Sequence, residues 1–142
     1  MLIDTRELTT SRQLHYDVCI VGAGAAGITL ARALRSKRAS VCLLESGGFE
    51  SDRDTQSLYN GRTAGAGLSA AGYLSLSRLR YFGGATNHWA GMCRPLDAMD
   101  FAVRPWVPNS GWPIVREDLA EYYRKAAEVV QLAPFDERWG DL

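Results

Sequence analysis

Apolar residues fall into two short, nearly continuous runs with a helical stripe between them. Residues 16–21 read Tyr-Asp-Val-Cys-Ile-Val and end at a glycine. Residues 41–44 read Val-Cys-Leu-Leu and close at Glu45, Ser46, Gly47 and Gly48. Continuous apolar runs of this length predict strands buried on both faces of a parallel sheet. Between them Ala26, Thr29, Leu30, Ala33 and Leu34 recur at helical spacing, which predicts a helix over residues 25–38. Arg32, Arg35, Lys37 and Arg38 crowd its last turns, where cations complement the helix dipole. Strand, helix and strand in this order form one βαβ unit and set the class as α/β.

Beyond this unit the pattern weakens. Residues 49–59 carry Glu50, Asp52, Arg53 and Asp54 and read as a solvated connector. Residues 61–72 are rich in Gly, Ala and Ser without a period, which fits a loop or an extended strap over a ligand. Residues 74–81 alternate loosely, as a strand or as coil. Pro105, Pro108 and Pro113, with Trp106 and Trp112, predict irregular, surface-following chain. Residues 117–131 predict an amphipathic helix with Leu119, Tyr122, Tyr123, Ala126 and Val130 on its apolar face. Glu121 and Lys125 form an i,i+4 pair worth roughly 0.2–0.5 kcal/mol. Neither an internal repeat nor a domain boundary is evident, so residues 1–142 read as a single domain.

Composition narrows the function classes. Of 142 residues, 46% are hydrophobic and 23% charged, a globular balance. Lys plus Arg and Asp plus Glu both count 16, so the chain has no electrostatic bias toward nucleic acid or an anionic membrane. No apolar run is long enough to span a bilayer, and the first fifteen residues lack the apolar core of a secretory signal. Cys19, Cys42 and Cys93 are far apart in sequence, odd in number and without a CxxC pair. They predict neither a disulfide framework nor a zinc site. The expected compartment is the reducing cytoplasm.

The turn after the first strand carries the clearest chemistry. Residues 22–27 read Gly22-Ala23-Gly24-Ala25-Ala26-Gly27, a G-x-G-x-x-G sequence. Alone this is a weak signal. Its place between a buried strand and a helix, with an acid ending the next strand, makes it a dinucleotide fingerprint. Gly22 allows the tight turn, Gly24 lets a pyrophosphate approach the backbone, and Gly27 lets helix and strand pack closely. The first N–H groups of the helix and its positive dipole end suit phosphate. Glu45 ends the second strand, and its carboxylate can accept from both ribose hydroxyls of an adenosine while repelling a 2′-phosphate, which disfavours NADP. The fold class is therefore the N-terminal part of a Rossmann-like FAD/NAD(P)-binding domain with an incomplete sheet. The fingerprint does not choose between FAD and NAD.

A second motif bears on that choice. Residues 81–91 read Tyr-Phe-Gly-Gly-Ala-Thr-Asn-His-Trp-Ala-Gly. Gly83 and Gly84 let main chain approach a ligand closely. Thr86, Asn87 and His88 then offer donors and acceptors in a row. The other histidine, His15, precedes the first strand and reads as incidental.

With these residues the chain resembles the glucose–methanol–choline family of FAD-dependent oxidoreductases, from Tyr16 to about Leu132. The resemblance rests on the fingerprint, Glu45, Gly83-Gly84, Arg94-Pro95-Leu96-Asp97, Trp106-Val107-Pro108 and Ser110-Gly111-Trp112-Pro113. The last two groups are similar to the bacterial sugar- and polyol-dehydrogenase branch. The resemblance implies FAD as cofactor, held by Gly22, Gly24, Ala25, Ala26, Gly27 and Glu45, with Gly83, Gly84, Thr86, Asn87 and His88 along the flavin. Many members carry an Asn five residues after the second glycine; here that position is Trp89, so its role does not transfer. His88 matches the position through which some members attach FAD covalently, and both covalent and non-covalent contact stay open.

The implied reaction is oxidation of a CH–OH donor, an alcohol or sugar, with hydride transfer to the flavin. The family's catalytic histidine lies near the C-terminus of much longer chains. No histidine follows His88 here, so no catalytic residue is assigned. The resemblance thus implies an N-terminal piece completed by a missing C-terminal part, a complementary chain or an electron-acceptor subunit. A non-catalytic truncated or split FAD-binding module and an NAD-dependent Rossmann enzyme are the alternatives. A doubly wound sheet usually has ~5–6 strands, so two strands alone predict marginal stability and poor FAD binding.

Overall fold

A computed structural model of the chain describes residues 1–62 and 72–133. Most of the Gly/Ala/Ser-rich stretch over residues 61–72 therefore lies outside the described residues. The chain divides into two compact units, one over Met1–Trp89 and one beginning at Ala90.

In the first unit, β1 (Val18–Val21) and β2 (Val41–Leu44) pair in parallel, joined by α1 (Ala25–Ser36). Val18, Cys19, Ile20 and Val21 face Val41, Cys42, Leu43 and Leu44 in register. A clip fixes this register at its start. The Asp17 N–H donates to the Ser40 carbonyl and hydroxyl, while the Asp17 carboxylate accepts from the Ser40 N–H and hydroxyl at 2.8 and 2.6 Å. At the other end the Gly22 N–H donates to the Leu44 carbonyl at 2.8 Å, extending the ladder one step beyond Val21. The α/β, partial Rossmann-like fold expected from the sequence is the fold observed, and β2 and the start of α1 have their expected bounds.

Three details differ. The strands are not buried on both faces: Ile20 is buried, whereas Val21 is 83% exposed and Cys19 and Leu44 are also exposed. Helix α1 covers one side of the pleat, and within this unit no second helical layer lies on the other among the described residues. The stripe of α1 is also rotated. Gly27, Ile28, Ala31 and Leu34 turn inward, and Ala26, Thr29, Leu30 and Ala33 are exposed. The close fit of Gly27 sets this rotation, since a Cβ there would meet the Gly22 carbonyl oxygen at 2.0 Å. Finally, the parallel register makes Cys19 and Cys42 neighbours, although they are distant in sequence. Burial, then the neighbouring Cys19, pushes the Cys42 thiol up.

The connector is more structured than its polarity suggested. It contains α2 (Arg53–Ser57), capped by the Asp52 carboxylate accepting from the Thr55 N–H at 2.7 Å. A single turn, α3 (Tyr73–Leu76), stands where strand or coil was expected.

In the second unit, α4 (Ala98–Phe101) leads into irregular chain as the prolines require. The Trp112 N–H donates to the Phe101 carbonyl at 3.1 Å, and the two rings meet edge to face at 6.2 Å. A 3-10 turn, Arg116–Leu119, opens α5 (Ala120–Val129). The Asp118 carboxylate accepts from the Val115 N–H at 2.9 Å and caps it. The inward line is Leu119, Tyr123 and Ala127. Ala127 is 3% exposed, whereas Tyr122, Ala126 and Val130, expected inward, are exposed. The Glu121–Lys125 ion pair forms on the surface as expected.

Candidate dinucleotide site

The site grows from the end of β1. Gly22 has φ +102°, a left-handed conformation that favours glycine, and it turns the chain out of the strand. Ala23 is 1% exposed and seals the turn from below. Gly24 is the N-cap of α1 and has ordinary extended backbone, so conformation does not demand a glycine there. A Cβ on Gly24 would also meet nothing within 4 Å, so the backbone there lies open to a ligand. Gly24 makes no side-chain capping bond, so no cap competes with an anion for the first N–H groups of α1. Each glycine of the fingerprint thus has its own physical reason.

Glu45 folds back under this turn. Its Oε2 accepts from the Ala23 N–H at 2.8 Å. Its Oε1 accepts from the Ser46 N–H at 2.9 Å, the Gly47 N–H at 3.1 Å and the Ser46 hydroxyl at 3.3 Å. Burial alone would raise the carboxyl's pKa. The backbone donors of Ala23, Gly47 and Ser46 outweigh it and hold the pKa below the usual glutamate value. Glu45 therefore stays ionised at neutral pH, the state a ribose hydroxyl donates to.

The second motif arrives at the same place. Gly83 forms an isolated parallel bridge with Gly24, and its N–H donates to the Ala23 carbonyl at 2.8 Å. The Phe82 N–H donates to the Gly48 carbonyl at 2.9 Å. Gly83 and Gly84 both have positive φ, and a Cβ on Gly84 would lie 3.3 Å from the Gly24 Cα. Two glycine motifs about sixty residues apart in sequence are thus brought together, main chain to main chain.

Residues 84–87 form a 3-10 turn. The Thr86 hydroxyl donates to the Gly83 carbonyl, and the Asn87 amide donates to the Phe82 and Gly84 carbonyls at 2.9 and 3.0 Å. Both side chains, expected to offer donors to a ligand, tie down their own turn. His88 caps the turn through its backbone N–H and is exposed, with no side-chain hydrogen bond among the described residues.

Five residues to which the sequence assigns no site role hold these parts together. The Gln56 amide donates to the Ser75 and Arg78 carbonyls at 2.7 Å each and accepts from the Arg80 N–H at 3.0 Å, pinning the approach to Gly83. A Cβ on Gly47 would strike the Arg80 carbonyl oxygen at 2.0 Å, so β2's exit packs backbone to backbone on that approach. The Arg80 guanidinium stacks on Tyr59 at 4.1 Å and donates to the Ser46 hydroxyl at 3.0 Å. No periodicity marks Gln56, Ser46 or Arg80; only Gly47 carried a signal, as half of a glycine pair.

The glycine loop, the start of α1 and the ionised acid are arranged as in a Rossmann-like dinucleotide-binding fold. Residues 20–49, which run from β1 through β2, match the family model of the NAD(P)-binding Rossmann-like domain. Neither a curated protein nor a solved structure matches the chain. The match supports dinucleotide binding of the kind found in oxidoreductases and does not separate FAD from NAD(P). No helix among the described residues is long and apolar enough to cross a membrane. Among them no cluster of three or more metal-ligating side chains occurs.

Proposed function

We propose that this chain supplies the FAD-binding part of a glucose–methanol–choline-type oxidoreductase acting on the CH–OH group of an alcohol or sugar. The observation that carries this reading is the Gly24–Gly83 bridge. An NAD-binding turn alone has no need of a second glycine pair at its mouth. In the family the chain resembles, a Gly-Gly segment lies along the flavin ring, and the bridge brings Gly83 to this turn.

The residues present suit such a group. The start of α1 at Ala25, Ala26 and Gly27 would hold its pyrophosphate, with room over Gly24. Glu45 would hold the adenosine ribose. Gly83 and Gly84, which pack closely on Asn87 and Gly24, would bring main chain alongside the ring system, and exposed His88 would touch it or be bonded to it. Bound FAD would accept the hydride removed from the carbinol carbon. This chain's residues bind and orient; none is assigned the role of base. A second reading, an NAD-dependent enzyme, is supported by the match to the NAD(P)-binding Rossmann-like domain.

An absorbance spectrum of the purified chain incubated with FAD, before and after acid precipitation, separates these readings. Flavin bands that are released to the supernatant mean non-covalent FAD binding. Bands retained in the precipitate, and lost in His88→Ala, mean attachment through His88. Absence of flavin from both fractions, with NAD binding instead, would favour the second reading.

A further inference from the structure

The parallel register sets two free thiols side by side. Cys19 and Cys42 are in-register partners on β1 and β2, so their side chains leave the sheet on the same face. That face is the one α1 does not cover: Val21 and Leu44, two positions further along each strand, are exposed on it. Cys19 is itself exposed, and Cys42 is half-buried. Adjacent strands lie roughly 4.7–4.9 Å apart. A disulfide spans Cα separations of about 4.4–6.8 Å, which includes this spacing, but its Cβ atoms sit closer, at roughly 3.5–4.5 Å. Closing the bond therefore draws the strands together locally, and a bond closed under strain is easily reduced. Burial, then the neighbouring Cys19, pushes the Cys42 thiol up, so Cys42 stays protonated while exposed Cys19 meets a reagent first.

We propose that Cys19 and Cys42 form a redox-modification site, a dithiol that a hydroperoxide converts to a reversible intramolecular disulfide. The Cys19 sulfur attacks a peroxide oxygen. An S–O bond forms, the O–O bond breaks, and the departing oxygen takes up the thiol proton and leaves as water or an alcohol. The Cys42 sulfur then displaces hydroxide from the Cys19 sulfur. An S–S bond forms, the S–O bond breaks, and the Cys42 proton leaves with the hydroxide as water. The two thiols lose two electrons, which the peroxide gains. The bond ties β1 to β2 a few residues before Gly22 and Glu45, and nothing about the pair depends on which nucleotide the turn takes. A single bond of this kind suits a reducing compartment, where disulfides are transient and redox-sensing. Cys93 belongs to the other unit and is expected to remain a thiol.

The test is treatment of the folded full chain with hydrogen peroxide, then alkylation and peptide mapping by mass spectrometry. Two of the three thiols should be lost to alkylation, with a Cys19–Cys42 cross-link within one chain, Cys93 still alkylated, and both thiols restored by reduced glutathione. In Cys42→Ser the cross-link should vanish and Cys19 should be trapped by dimedone as its sulfenic acid. In Cys19→Ser, Cys42 should stay alkylatable. The wild-type map needs no variant, so it decides even where a variant fails to fold. Three intact thiols after peroxide would overturn the proposal, as would cross-links only between chains or through Cys93. A Cys19–Cys42 bond formed in urea but absent from the folded chain would overturn the role of the strand register. A bond that resists glutathione would overturn its reversibility.

Discussion

Gly24 and Gly27 stand three residues apart in one motif, yet their reasons for being glycine are opposite. Gly24 faces open space, while Gly27 is pressed on the Gly22 carbonyl. Gly24→Val should therefore fold with nearly the wild-type midpoint and lose nucleotide affinity at least tenfold. Gly27→Ala should lose stability first, by roughly 1–3 kcal/mol, because the added methyl forces α1 off β1. Urea denaturation and ADP titration of the two variants would reveal the split. The same distinction applies at Thr86 and Asn87. Their side chains, expected to face a ligand, donate hydrogen bonds that close the turn after Gly83.

At the scale of elements, both long helices have the predicted extent within a few residues, and both bury a different stripe. Each carries apolar residues on more than one face, so periodicity alone admits neighbouring solutions. A single close contact chooses between them. In α1 it is Gly27 on Gly22, and in α5 the buried line runs through Tyr123 to Ala127. Adjacent alanines should consequently respond differently. Ala126→Asp should cost under about 1 kcal/mol, mainly helix propensity. Ala127→Asp places a charge in a buried position and should cost more than about 2 kcal/mol. Chemical denaturation followed by circular dichroism distinguishes them.

For the whole molecule, stability is tied to carboxylates with lowered pKa values. Ser40 holds Asp17 below its usual value, and the Ala23, Gly47 and Ser46 donors do the same for Glu45 against the effect of burial. A carboxyl whose folded pKa lies below its unfolded one contributes stability that is full above the unfolded value. That contribution is lost as pH falls through the folded value. The melting temperature should therefore be flat near neutrality and fall as pH drops through and below about 4. Glu45→Gln should flatten part of that fall. Exposed Val21 and Leu44 on the open side of the sheet predict a low melting temperature. A sharp, reversible transition at high temperature by circular dichroism would contradict this.

The sequence by itself determined the βαβ unit, the fingerprint and the acid that ends β2. Each is encoded within a few residues by apolar runs, glycines and a charge. The bounds of β2 follow because Val41 to Leu44 is apolar without a break and Glu45 stops it. What sequence could not decide is which side chains meet across distance. The bridge between Gly24 and Gly83, the pairing of Cys19 with Cys42, and the line from Tyr59 through Arg80 and Ser46 to Glu45 all join segments separated in the chain. Such contacts follow from the strand register, from the backbone fit at Gly47 and from Gln56 pinning residues 75–80. Polar residues such as Gln56 and Ser46 carry no periodic signal, so only the tertiary structure shows that they shape the site.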